Sequence, residues 1–215
     1  MTAPDPSKSA RRTELLALAA ELFAERGVRT TTVRDIADAA GILSGSLYHH
    51  FASKEAMVDE ILRGFLDELF GRYREIVAQE LNSRATLEAL VLASSEAFDR
   101  AHAAVAIYQS EAKRLSGADR FAYIDDYNRE FRELWRRVLT NGVQDGSFRP
   151  ELDIDLAYRF LRDTVWVAVR WYRPGGGSVT VDTLAKQYLT IVLDGLTVPS
   201  VAAQPAHAGA TGPTD

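Results

Sequence analysis

Apolar residues recur every three or four positions along almost the whole chain, and no stretch alternates apolar with polar in the period of two that marks a strand. Leu15, Leu18, Ala19, Leu22 and Phe23 form one such stripe, which predicts a first helix over residues 10–26, stopped by Gly27. Met57, Ile61, Phe65, Leu69, Tyr73 and Ile76 keep one face apolar along a long helix over residues 54–79. Leu87, Leu90, Val91, Ser94 and Phe98 do the same over residues 84–102. A shorter helix follows over residues 104–115, and Ser116-Gly117 breaks the pattern. Residues 119–142 read as another long helix, rich in Tyr, Phe, Trp and Arg. Residues 144–150 are a turn, because Gly146 admits an unusual backbone and Pro150 resists helix. Two last helices, over residues 153–172 and 181–196, are joined by Arg173-Pro174-Gly175-Gly176-Gly177. The pattern predicts an all-α protein without internal repeats. Beyond Pro199 large apolar groups are missing, which predicts a disordered tail over residues 199–215.

Residues 31–54, TTVRDIADAAGILSGSLYHHFASK, carry the most specific local signal. Thr32 is placed to N-cap a short helix, with Asp35 completing a capping box. Val33, Ile36, Ala37 and Ala40 turn one face of that helix inward, and Gly41 ends it in the left-handed conformation. Leu43, Leu47 and Phe51, spaced by four, predict the buried seam of a second helix. Its other face shows Ser44, Gly45, Ser46, Tyr48 and His49. Small residues at a helix start let the backbone approach base edges, and a phenol and an imidazole can hydrogen-bond phosphates. The segment reads as a helix-turn-helix.

Composition narrows the rest. A chain of 215 residues buries a substantial core, and the absence of cysteine excludes disulfides and thiolate metal sites. No apolar run reaches the roughly 20 residues that span a bilayer. The N-terminal MTAPDPSKSARR has no apolar core of a signal peptide, so a soluble cytoplasmic protein is expected. Net charge is −5, which describes mainly the part of the chain away from DNA. Lys8, Arg11, Arg12, Arg29, Arg34 and Lys54 supply a local positive footprint in the N-terminal part. An enzyme is not expected. His49 and His50 point in different directions on a helix, His102 stands alone and His207 lies in the tail. No nucleophile elbow, phosphate loop or metal-ligand spacing is present.

The helix-turn-helix segment, with its LYHHF and SKEAM pieces, resembles the TetR family of bacterial one-component transcriptional regulators. The resemblance implies an N-terminal three-helix DNA-binding domain joined to a helical domain that binds an effector and dimerises. The expected division is a flexible arm over residues 1–9, a DNA-binding domain over 10–53 and an effector-binding and dimerisation domain over 54–198. Thr32, Arg34, Tyr48, His49 and Lys54 are expected to hold phosphates, with Ser44, Gly45 and Ser46 nearest the bases. The long helix beginning at Lys54 is the expected transmitter between domains. Ile154, Leu156, Phe160 and Leu161, with Val181, Leu184, Tyr188, Ile191 and Val192, show more apolar surface than one packing face needs. The resemblance implies that these last two helices meet a symmetry mate in a four-helix bundle. Such a homodimer sets two recognition helices roughly 34 Å apart on a palindromic operator.

Residues 159–173, RFLRDTVWVAVRWYR, are largely apolar yet carry four arginines, and Arg162, Trp166 and Arg170 fall on one side of a helix. Unpaired guanidinium groups beside a core are costly, so something neutralises them. Glu111, Asp125, Asp126 and Glu130 are candidate internal partners; a polyanionic ligand held by planar arginine forks is the other reading. Spacing does not separate the two. Within the family, the pieces SGSLYHHFASKEAMVDEILRGFLDELF, AIYQSEAKRL and YRFLRDTVWVAVRWYRPGG resemble actinobacterial TetR-type repressors of late cholesterol catabolism. That likeness implies an acyl-coenzyme A effector, the thioester of a bicyclic indanedione propionate. Arg162 and Arg170 would hold its phosphates or pantetheine, and Trp166 would stack on adenine or wall the pocket. Phe65, Leu69, Tyr108 and Tyr127 would wall the bicyclic ring. No cofactor or metal is implied. A regulator of the same family answering to a fatty acyl thioester or a drug is the alternative.

Overall fold

The computed structural model of the protein describes residues 6–115, 117–175 and 178–197. Among these residues all regular structure is helical, and none is strand. The expected tail over 199–215 and the first five residues of the expected arm lie outside the described part. The rest of that arm is not loose chain: α1 begins at Pro6 and runs to Arg26. Proline is at ease in a first helical turn, where its missing N–H would be unpaired in any case.

The head is built from α1 (Pro6–Arg26), α2 (Val33–Ala39) and α3 (Ser44–Leu47). Leu15, Phe23, Ile36 and Leu47 meet in its core, all under a few per cent exposed. The body comprises α4 (Lys54–Val77), α5 (Ser83–Arg100), α6 (His102–Leu115), α7 (Tyr123–Gln144), α8 (Ile154–Val167) and α9 (Val181–Leu196). A short 3₁₀ turn, Asp119–Phe121, precedes α7, and another, Ala168–Arg170, extends α8. The expected helix over 153–172 therefore tightens in its last turn. Side-chain oxygens of Ser53, Asn82, Asp153 and Thr180 cap α4, α5, α8 and α9, each accepting from a backbone N–H of the first turn.

Helix α5 is the centre of the body, packed on α4, α7 and α9, while α7 lies on α8. Tyr73 of α4 is fully buried, and its hydroxyl meets Ser94 Oγ of α5 at 2.6 Å while Ser94 donates to the Leu90 carbonyl at 2.7 Å. Burial raises the Tyr73 phenol well above its ordinary value. Helix α1 joins head to body. Helix α1 packs along α6, and Arg12 of α1 makes a bidentate ion pair with Glu60 of α4.

The turn after α7 is held by close approach. Phe148 is wholly buried, its N–H donates to the Gly142 carbonyl at 2.8 Å, and its ring lies where a Cβ on Gly142 would be, at 2.1 Å. Gly146 takes φ +78°, as its place in the predicted turn requires.

On α8 and α9 the apolar residues divide. Leu161 turns into the protein's own core, whereas Leu156, Phe160 and Ile191 are exposed. Ile154, Val181, Leu184, Tyr188 and Val192 are half-buried against the core edge. Exposed apolar groups on two adjacent helices make a face rather than scattered surface leucines.

Candidate DNA interface and effector cavity

In the head, Thr32 and Asp35 form the expected reciprocal cap. Asp35 N–H donates to Thr32 Oγ1 at 3.1 Å, and Thr32 N–H donates to Asp35 Oδ2 at 2.7 Å. The Thr32 hydroxyl also donates to Asp35 at 2.6 Å, and this bond is the main reason the Asp35 carboxyl sits below the usual range. Helix α2 ends in a Schellman motif: Gly41 (φ +66°) donates to Asp38 and Ile42 donates to Ala37, at 3.2 and 3.0 Å.

The second helix departs from its expected form. It is one turn long, Ser44–Leu47, and Leu43 stands before it as N-cap rather than within it. Leu43 therefore does not share the register of Leu47 and Phe51, and it is 80% exposed while those two are buried. Ser44 and Ser46 are half-exposed and Gly45 is exposed, with open space where its Cβ would be. Tyr48 is 57% exposed and His49 is exposed. The Tyr48 hydroxyl has no partner among the described residues.

The positive footprint is smaller than charge counting suggests. Lys54 is not free: its ammonium donates to the Val28 and Thr31 carbonyls at 2.7 and 2.9 Å, which ties α4 to the turn before α2. Arg12 is engaged with Glu60, and its guanidinium lies 4.5 Å from the Phe51 ring centroid. Arg11 bonds Glu14 at 2.6 Å and the Ala40 carbonyl at 3.1 Å. Arg11 thus braces α1 on α2 within the head, while Arg12 and Lys54 tie the head to α4. Arg34 stays exposed, with Asp38 3.6 Å away, and Arg29 is exposed as well. The side chain of Lys8 lies outside the described residues.

In the body, α4, α6, α7 and α8 line a cavity of about 810 Å³ that opens to solvent. Its apolar wall is Phe65, Leu66, Leu69 and Phe70 of α4 with Phe131 of α7 and Trp166 of α8. Trp166 is buried, edge-on to Phe65 and Phe98 with centroids 6.2 and 5.5 Å away, so it is locked as part of the wall. Tyr108 closes one side, donating to Asn128 Oδ1 at 2.5 Å, and burial raises its phenol to about 12. Arg162, Trp166 and Arg170 all face this cavity, although Arg170 stands on the 3₁₀ turn.

Tyr127 does not. It lies one residue, or 100° of helix, from Asn128 on the lining face, and its hydroxyl bonds Asp67 while its ring rests on Phe70 at 4.6 Å. Two arginines that sequence reasoning passed over, Arg129 and Arg132, line the cavity from α7. Their spacing from Asp125 was a usable signal, but charges at helical spacing usually mark a solvated face.

Three of the four internal partners considered for the arginine stripe pair with other arginines. Glu111 pairs with Arg114, Asp126 with Arg129 and Glu130 with Arg74. Asp125 lines the cavity but makes no ion pair among the described residues. Arg162 is met instead by its neighbour Asp163 at 2.7 Å, and this bond is the first cause of its raised pKa. Arg132 and Arg170 have no ion pair among the described residues. The cavity thus carries Arg129, Arg132, Arg162 and Arg170 against Asp125 and Asp163. A second cavity of about 670 Å³ shares Arg170 and Gln109 with the first and reaches Glu21 and Glu25 of α1. No group of metal-ligating side chains occurs among the described residues, and no helix among them is long and apolar enough to cross a membrane.

A helix-turn-helix head on a helical body with a cavity defines the class of DNA-binding transcriptional regulators. Comparison with known proteins specifies which. Residues 15–61 match the bacterial regulatory proteins of the tetR family, and residues 80–196 match the tetracyclin repressor-like C-terminal domain. The chain belongs to the TetR family of transcriptional regulators and is not an enzyme. It is 74% identical to the HTH-type transcriptional repressor KstR2 of Rhodococcus jostii (strain RHA1), over 89% of this chain and 94% of that one. The structure of the ketosteroid transcriptional regulator KstR2 of Mycobacterium tuberculosis superposes with a TM-score of 0.86 at 61% identity, covering 88% of this chain and 96% of that one. AibR, solved with isovaleryl coenzyme A and operator DNA, shares the fold with a TM-score of 0.73 at 23% identity, covering 84% of this chain and 97% of its own.

Proposed function

We propose that this chain is a cytoplasmic repressor of sterol ring-degradation genes, held on a palindromic operator as a homodimer and released by an acyl-coenzyme A thioester. The likeness to the two KstR2 proteins supports the steroid assignment. The observation that carries the effector class is the cavity itself: of its four guanidinium groups Arg129 and Arg162 are paired with Asp126 and Asp163, while Arg132 and Arg170 have no ion pair among the described residues, opposite Asp125 and beside a wall of aromatic and aliphatic side chains. Anionic phosphates suit the first part, since arginine holds phosphate in a planar fork, and the largely apolar rings of a bicyclic dione suit the second. A cationic drug would meet net repulsion there.

In this reading Phe65, Leu69 and Tyr108 wall the ring system, and Trp166 bounds it without stacking on adenine. Arg132, Arg162 and Arg170 take the coenzyme end. Ser44, Gly45 and Ser46 approach the bases while Arg34, Tyr48 and His49 hold phosphates. Release requires only that the thioester bind a DNA-incompetent dimer shape better than the competent one. Arg170 borders both cavities, and the second reaches α1, so a ligand filling the first can bias the head through that residue. The exposed Leu156, Phe160 and Ile191 face supplies the dimer contact.

The test is fluorescence anisotropy on the DNA upstream of the chain's own gene, with the bicyclic thioester, a fatty acyl thioester, free coenzyme A and the free acid. Release by the bicyclic thioester at the lowest concentration is expected. Release by the free acid alone would remove the coenzyme reading, and equal response to fatty acyl thioesters would remove the sterol reading.

A further inference from the structure

Leu43 breaks two local rules at once. It occupies the N-cap of α3, at φ −72° and ψ 143°, and its side chain makes no capping hydrogen bond. Ser, Thr, Asp and Asn are preferred there because their oxygens satisfy a backbone N–H that the first turn leaves unpaired. Among the described residues, Thr32, Ser53, Asn82, Asp153 and Thr180 follow that preference, while Ala118, Ala122 and Val167, at the ends of the two 3₁₀ turns, share with Leu43 the lack of a side-chain cap. Leucine forgoes the bond. The same side chain is 80% exposed, more than any other large apolar residue described. The next most exposed, Ile191 and Phe160, lie on α9 and α8, on the face assigned to the dimer. Leu43 is in the head, so that face does not account for it.

We infer that Leu43 reads bases: its isobutyl group packs on a thymine C5-methyl in the major groove of each operator half-site. The start of the second helix in such a head is the part that enters the groove. At that start Gly45 is open, Ser44 and Ser46 are short, and Leu43 is the bulky apolar group beside them. Within the groove the thymine methyl is the one apolar feature that a base edge presents, and side-chain carbon is what contacts it. Local rules broken without compensation in the free protein are expected at functional sites, where the partner supplies the compensation. Water covers Leu43 in the free chain; DNA covers it in the complex, continuous with the face that carries Ser44 to His49.

The inference rests on operator binding by the head, and one experiment distinguishes the two. Operator duplexes are prepared with each thymine replaced in turn by uracil, which removes the methyl and nothing else. The wild-type chain is expected to lose about fourfold in affinity per half-site at one symmetric position, the worth of one buried methyl. Leu43→Ser restores a capping oxygen, so it should melt no lower than wild type. It should nonetheless bind the thymine operator about fifteenfold more weakly per dimer, and no longer distinguish thymine from uracil. Leu43→Met, which keeps apolar volume, should retain the discrimination. The inference is overturned if uracil costs wild type nothing at any position, or if the penalty persists in Leu43→Ser. Failure of wild type to bind operator at all would overturn the regulatory reading, and this inference with it.

Discussion

Replacing Arg12 by methionine separates two roles that charge alone cannot. As a DNA contact, Arg12 would neutralise one phosphate per subunit. As the structure has it, the guanidinium clamps α1 to Glu60 of α4 and covers the Phe51 ring. The two side chains of the ion pair are 41% and 38% exposed, so solvent screens it to at most about 1 kcal/mol. The cation over the ring adds roughly 0.5–1 kcal/mol. Arg12→Met should therefore cost about 1–2 kcal/mol, or roughly 2–8 °C in melting temperature for a chain of this size. Glu60→Gln should cost a similar part of this, since it breaks the same pair from the other side. The decisive measurement is operator affinity against salt. A lost phosphate contact lowers the slope of log K on log salt by about 0.9 per site. The structural role predicts no change of slope in either variant. A slope reduced by nearly two units per dimer, with melting unaltered, would refute the clamp and return Arg12 to the phosphate footprint. Strengthened DNA binding by Glu60→Gln would do the same, because it would show a cation released toward DNA.

Three further outcomes follow from the same geometry. Arg162→Met should raise the thioester concentration needed for half release by about tenfold, the low end of a charge-assisted hydrogen bond, with operator affinity unaltered; an unchanged induction curve would remove Arg162 from the anion site. Gly142→Ala places a methyl 2.1 Å from the buried Phe148 ring, so the usual gain of about 1 kcal/mol for glycine to alanine in a helix is reversed by overpacking worth about 1–3 kcal/mol. Gly64→Ala, with nothing within 4 Å of the new atom, should raise the melting temperature instead, and equal responses of the two would discredit the packing argument. Tyr48→Phe should weaken operator binding about tenfold per dimer, by one phosphate hydrogen bond in each subunit, while the melting curve stays in place because the hydroxyl has no hydrogen-bond partner among the described residues.

Helical periodicity located the head and body elements because each helix must bury one face, and an apolar stripe every three to four residues records that face directly. Turn chemistry was equally readable: the Thr32–Asp35 box, the left-handed Gly41 and Gly146, all concern neighbours within a few positions. Arg162, Trp166 and Arg170 could be set on one side of a helix for the same reason. Partners distant in the chain could not be read this way. Whether Lys54 meets a phosphate or the Val28 carbonyl, or Arg12 meets DNA or Glu60, depends on how α1 docks against α4. The same holds for Tyr127, which a rotation of 100° takes out of the cavity, and for Arg129 and Arg132, which the packing of α7 on α8 brings into it. Leu43 shows the limit most sharply. Its spacing from Leu47 promised a buried seam, but a spacing of four means a shared face only inside a helix, and Leu43 stands one residue before the helix begins. Local pattern reports which face of an element avoids water; which groups of other elements meet that face is set when the helices dock.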